Sequence, residues 1–197
     1  AQAIADANPG SLLATRLDAF KRWYSQAGTP RVTAIGEHDA ATRTFTLKLR
    51  QHTPATPGQP DKLPVVIPVV MGLLDRHGQA LALDASGATE TTLVLDQAEQ
   101  SFVFENIEHE PVPSLLRGFS APVVLDDGLS DAALLVLLRH DSDPFNRWEA
   151  SQRLALNRIL AALRGGQPLV LSTAFIEAMR AVLRHPDLDP AFKELAL

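Results

Sequence analysis

Along residues 44–50 apolar and polar side chains alternate without a fault: Thr44, Phe45, Thr46, Leu47, Lys48, Leu49, Arg50. Period two turns Phe45, Leu47 and Leu49 to one face of an extended chain, which predicts a strand covering a core on one side. The period recurs at 91–95, with Leu93 and Leu95 inward, and at 101–104, with Phe102 and Phe104 inward. Residues 63–74 form a longer apolar run holding Pro64 and Pro68, which suit an edge or a bulge better than a central ladder. Asp75–Gly78 and Asp126–Gly128 read as turns, and 53–60, TPATPGQP, as a proline-rich surface loop. Short strands divided by turn signals from about 30 to 125 imply an antiparallel β-sandwich.

On either side of this region the period becomes helical. Leu13, Leu17, Phe20 and Tyr24 form one stripe, which predicts a helix over 11–27 ended by Gly28 and Pro30. Ser130 can cap a helix carrying Leu134, Leu137 and Leu138. Asp143-Pro144 is a start signal: an acceptor at the cap, then a proline where the missing N–H costs nothing. Phe145, Trp148, Ala155, Leu156, Ile159 and Leu163 are expected on that helix's buried side, with Gly165-Gly166 as its stop. Ser172 opens a third helix with Phe175, Ile176, Met179, Val182 and Leu183 on one face, and Asp189-Pro190 a fourth that would run to Leu197. Consecutive helix pairs look like the beginning of an array needing further repeats to bury its faces. Both ends look cut from something larger.

Composition narrows the partners. The chain has 197 residues, 46% hydrophobic and 21% charged, with a formal net charge of −5. No basic run exceeds two residues, so nucleic acid and anionic membrane are unexpected partners. No apolar window of about 18 residues exists, so no membrane span is expected. The absence of cysteine removes disulfides, thiolate metal sites and a cysteine nucleophile, and fits a cytoplasmic protein.

Few residues suggest chemistry. His109-Glu110 opens H-E-x-x-H, but Pro113 stands where the second histidine belongs, and Pro111 and Pro113 forbid a helix interior. An extended surface segment feeding a strand is expected instead. Glu37-His38-Asp39 reads as a solvated loop; Asp126-Asp127-Gly128 and Asp141-Ser142-Asp143 read as a turn and a helix cap without EF-hand spacing. Trp23, Tyr24 and Trp148 fall at helical spacing with apolar neighbours, so they are expected in the core. No nucleophile elbow, P-loop or dinucleotide fingerprint is present.

Five segments then match one family in order. FKRWYSQAGTP (20–30), QHTPATPGQP (51–60), QAEQSFVFENI (97–107), PVPSLLRGFSAPV (111–123) and DPFNRWEASQRL (143–154) resemble the bacterial aminopeptidase N, or membrane alanyl aminopeptidase, family of zinc metallopeptidases. The resemblance implies residues 1–27 as terminal helices of a catalytic domain and 28–128 as an immunoglobulin-like β-sandwich. It implies 129–197 as the truncated start of an armadillo/HEAT-like helical C-terminal domain. It places the zinc ligands, the substrate-amine motif and the catalytic tyrosine of the parent enzyme before Ala1; Tyr24 lies after that tyrosine. No catalytic, cofactor-binding or metal residue is therefore expected here, and zinc is expected only in the parent. The expected function is that of an inactive interdomain spacer in an alanyl aminopeptidase. Its partners would be the rest of the parent chain and, through the parent, peptide substrates. The expected setting is the bacterial cytoplasm, with membrane association left open. The alternative is a free-standing sandwich-plus-helix interaction module, for which a complete core would be expected instead of exposed apolar faces on 1–27 and 172–197.

Overall fold

In the computed structural model, which describes residues 1–166 and 168–196, the period-two segments pair into two sheets. The strands are β1 (Arg31–Asp39), β2 (Thr44–His52), β3 (Ile67–Leu74), β4 (Thr91–Leu95), β5 (Glu99–Glu105), β6 (Val112–Leu115) and β7 (Val124–Asp126). One sheet has the order β5-β2-β1-β7 and the other β4-β3-β6. Every ladder is antiparallel except β1–β7, which is parallel over Arg31–Thr33. The sandwich expected from the alternation is therefore present, with one short parallel edge that the pattern does not announce.

Between the sheets Phe45, Leu47 and Leu49 of β2 join Ile67, Val69, Met71 and Leu73 of β3 in one buried cluster. Each such side chain contributes about 1.5–3 kcal/mol by leaving water. The period fixes the register, because a slip of one residue would turn this whole set to solvent. The buried Gln51 amide donates to the carbonyls of Val65 (2.9 Å) and Gln97 (3.0 Å) and accepts from Val65 N (2.9 Å). It thus closes the irregular segment entering β3. The expected edge position of the proline run is corrected: β3 is the central strand of its sheet. Pro68 is tolerated because β6 pairs only with Met71–Leu74, so around the proline β3 is laddered on one side alone.

The N-terminal helix is also corrected. Three short helices replace it: α1 (Gln2–Ala7), α2 (Leu12–Thr15) and α3 (Leu17–Ser25). The break falls at Arg16, whose backbone (φ −119°, ψ 17°) leaves the helix while its guanidinium pairs with Asp96 of the sandwich. Trp23 lies partly buried against the sandwich and donates from Nε1 to the Val66 carbonyl at 2.7 Å. Tyr24 is not in the core; it is 77% exposed.

The C-terminal helices are α4 (Asp131–His140), α5 (Pro144–Gly165), α6 (Thr173–Arg184) and α7 (Pro190–Ala196). The expected caps form: Ser130 Oγ accepts from Ala133 N (3.2 Å), Asp143 from Asn146 N (2.8 Å) and Ser172 Oγ from Phe175 N (3.2 Å). Gly166 ends α5 in the left-handed conformation (φ 60°). Leu134, Leu137 and Leu138 of α4 meet Ala150 and Leu154 of α5, Phe175, Ala178 and Val182 of α6, and Leu74 of β3 in a second buried cluster. The expected inner face of α5 is corrected. The buried residues are Asn146, Arg147, Ala150, Ser151 and Leu154, whereas Leu156, Ile159 and Leu163 are exposed. The polar half of the helix faces inward because it meets a polar junction with the sandwich. The expected last position of the fourth helix, Leu197, lies outside the described residues.

Candidate functional site: the sandwich–helix joint

The residues singled out for chemistry do not meet. His109 and Glu110 are exposed in the connection before β6, the extended surface segment expected of them. Glu37, His38 and Asp39 end β1 instead of forming a loop. His38 Nε2 lies 2.8 Å from the Ile107 carbonyl, and Asp39 accepts from Ala41 N at 2.8 Å. Hydrogen bonds from Thr42 and Ala41 hold the Asp39 carboxyl below its ordinary value. Asp127 is engaged bidentately by Arg153 at 2.8 and 2.5 Å. That hydrogen-bonded pairing raises the Arg153 guanidinium above its ordinary value against the opposing cost of burial. Among the described residues no three His, Asp or Glu side chains converge as metal ligands.

What the structure does assemble is a buried polar knot where β6 hands over to the helices. After Leu115 the backbone turns left-handed at Leu116 (φ 57°), Gly118 (φ 59°) and Phe119 (φ 53°). This sharp turn carries Arg117 back beneath β3, where Gly72 makes room; a Cβ there would stand 2.9 Å from Arg117 Cζ. Arg117 is 6% exposed, and its donors are consumed in turn. Nε donates to Ser114 Oγ (2.9 Å), Nη1 to Glu90 (3.1 Å) and Nη2 to Asp141 Oδ1 (2.8 Å). The Asp141 side chain is 0% exposed, so this is a buried ion pair between the sandwich and the end of α4.

Around the pair, Asn146 and Asp143 are tied to both bodies. Asn146 Nδ2 donates to Ser114 Oγ (2.7 Å) and to the Leu115 carbonyl (3.0 Å). The Asp143 carboxylate accepts from Asn146 N as the cap of α5, and from Gly118 N of the sandwich turn at 3.0 Å. Arg147 donates from Nε to the Asp141 carbonyl and from Nη2 to the Arg139 carbonyl, both at 2.6 Å, closing the end of α4. Burial lowers the Arg147 guanidinium from its ordinary value, while Asp141 opposes the change. His140, at the same end, covers the turn at Gly78 and is lowered by burial and by Arg139 and Arg147.

Removing one member of a buried pair leaves an uncompensated charge, so such a joint resists partial breakage. It presents no nucleophile aligned on a base. It ties the sandwich to α4 and α5 through one buried ion pair and several hydrogen bonds. Asp143 was legible as a cap, but Asp141, read with it as part of that cap, is the buried partner of Arg117. The hint in the sequence was the polar set Asn146, Arg147 and Ser151 on one side of a long helix.

Two domain families match the chain. One, described as a domain of unknown function (DUF3458) with an Ig-like fold, covers residues 28–128, and one described as DUF3458_C, ARM repeats, covers 131–197. The chain is 44% identical over 179 residues to aminopeptidase N of Escherichia coli, covering 89% of this chain and 21% of that protein. It is 35% identical over 185 residues to aminopeptidase N of Haemophilus influenzae, covering 92% and 21%. With aminopeptidase N of Caulobacter vibrioides it shares 44% identity over 181 residues, covering 92% and 20%. The crystal structure of Legionella pneumophila aminopeptidase A in complex with aspartic acid superposes with a TM-score of 0.78 at 31% identity, covering 92% of this chain and 20% of that one. The chain thus spans about a fifth of the length of the relatives it matches.

Proposed function

This chain belongs to the DUF3458 family of Ig-like folds, and we propose that it is the non-catalytic spacer of a zinc-dependent alanyl aminopeptidase. In this reading residues 1–27 are the last helices of the catalytic domain, 28–128 the Ig-like sandwich and 129–197 the start of the helical domain. Zinc, the hydrolytic water and the peptide substrates belong to the longer polypeptide. The spacer sets where the helical array stands over the active site, and so which peptides can enter. The setting proposed for the parent is the bacterial cytoplasm; no helix among the described residues is long and apolar enough to cross a membrane.

The buried Arg117–Asp141 joint carries this reading, because a spacer works only if its two bodies turn together. Exposed apolar side chains support a segment over a self-sufficient module. Ile4 and Leu12 are exposed at one end, Leu163 and Leu169–Leu171 near the other. The test uses the longer polypeptide. It should hydrolyse an alanine anilide in a chelator-sensitive way, while the 197-residue chain binds no stoichiometric zinc and hydrolyses nothing. A flexible Gly-Ser insertion after Gly128 should then relax discrimination between long and short peptides while anilide turnover persists. Turnover by the isolated chain with bound zinc, or unchanged discrimination after the insertion, would sink the proposal.

A further inference from the structure

Beside the joint, and sharing Asn146 with it, lies a cleft between β7 and α5. Its apolar walls include Leu116, Val123, Leu125 and Ala150, and its volume is ≈ 240 Å³. Two of its lining residues, Phe119 and Phe145, are aromatic, and Trp148 packs beside Phe145. Phe119 and Phe145 have centroids 5.3 Å apart, and Phe145 and Trp148 5.8 Å apart. Phe119 is 56% exposed although it is large and apolar. It is held there because Asp143, the cap of α5, accepts from Gly118 N and fixes the preceding turn.

The charges along the cleft are unequal. Asp127, Glu149 and Asp126 all favour the charged form of the single guanidinium of Arg153. Asp127 is the carboxylate that Arg153 engages directly, whereas Glu149 acts on Arg153 at longer range and makes no salt bridge among the described residues. Glu149 follows Phe145 by four residues on α5, so carboxylate and ring share one helix face. A carboxylate beside the exposed Phe119 and the half-buried Phe145 is matched by a cation, which the ring quadrupoles and the acid attract together.

We propose that this cleft docks a short basic peptide, with a Lys or Arg side chain laid over the Phe119–Phe145 faces against Glu149 and a neighbouring apolar side chain in the cleft. A free peptide is the occupant favoured by size, because ≈ 240 Å³ holds one or two side chains and is smaller than an ordinary drug-sized pocket. A second copy is disfavoured by charge, since both copies would carry the net −5 of this chain. The proposal does not rest on the aminopeptidase reading and is tested on this chain alone.

The probe is acetyl-Leu-Lys-Leu-Leu-Lys-Leu-amide, titrated at low ionic strength with the Trp148 fluorescence as readout. Saturable one-to-one binding is expected, weakening with added salt. Phe119→Ala and Glu149→Gln should each weaken it about five-fold or more, as should acetylating both peptide lysines. Both variants should keep a cooperative urea transition; Phe119→Ala loses its ring contact with Phe145 and Glu149→Gln a longer-range attraction to Arg153, so their midpoints should fall only slightly. Four results would overturn the proposal: no saturable binding, equal binding of the glutamate version of the peptide, unchanged affinity in both variants, or Phe119-dependent dimerisation by sedimentation.

Discussion

Replacing Arg117 with methionine should unlock the joint. The substitution keeps most of the side chain's bulk but removes every donor that reaches Ser114, Glu90 and Asp141. Ser114 Oγ still accepts from Asn146 Nδ2, so the serine is not orphaned. Asp141 is different. Its side chain is 0% exposed, and without Arg117 its carboxylate keeps only the backbone N–H of Asp143 (2.9 Å) on Oδ1. Breaking a buried pair in this way costs about 3–5 kcal/mol, on the order of 10 °C in Tm for a chain of this size. The bond to Glu90 adds little, because that carboxylate is 56% exposed, so Glu90→Ala should cost less than about 1 kcal/mol. The double variant Arg117→Met/Asp141→Leu removes the stranded charge and should recover about 2 kcal/mol relative to the sum of the single changes. Urea unfolding followed by tryptophan fluorescence measures all of this. Trp23 reports on the sandwich and Trp148 on α5, so single-tryptophan forms should show the two transitions separating in Arg117→Met. A loss below about 1 kcal/mol for Arg117→Met, or strict additivity in the double variant, would refute the joint as the element coupling the two bodies.

Other outcomes follow from the same geometry. Gly78→Ala should destabilise by about 1–3 kcal/mol, measured by the urea midpoint, because its Cβ would fall 2.1 Å from His140 Cγ in a backbone with φ +85°. Leu154→Ala should cost about 2–5 kcal/mol and Leu163→Ala under about 0.5 kcal/mol, since the first is fully buried and the second 73% exposed; the opposite order would mean α5 is turned the other way. Because His140 titrates below its ordinary value, the unfolded chain binds the proton more readily. The stability linked to this group should be complete above about pH 6.5 and decline as pH falls through and below that value. Comparing urea midpoints from pH 8 to pH 5 with those of His140→Gln isolates the contribution, which the variant should lack.

The strands were legible because a half-buried strand needs only alternation, and 44–50, 91–95 and 101–104 carry it in their own residues. Helix starts were legible for the same local reason: Ser130, Asp143 and Ser172 each satisfy a backbone N–H within three residues. The faces of the helices were not. On α5 the apolar residues 156, 159 and 163 suggested an inner side, yet the inner side is 146, 147, 150, 151 and 154. What decides a helix's rotation is what it meets, and α5 meets Ser114 and the Leu115 carbonyl from a segment about thirty residues earlier. Tyr24 and the break at Arg16 have the same origin, since Arg16 answers to Asp96 eighty residues away.

By itself, then, the sequence determined the sandwich, its inward residues and the caps that open the helices, because period and capping act over a few residues. It also carried the resemblance to the aminopeptidases, because that lies in the order of short segments. Only the tertiary structure decided that Pro68 sits in a central strand, that Arg117 and Asp141 share a buried site, and that Phe119 stands exposed beside Phe145. Each of these depends on contacts between distant segments, whose partners no local pattern names.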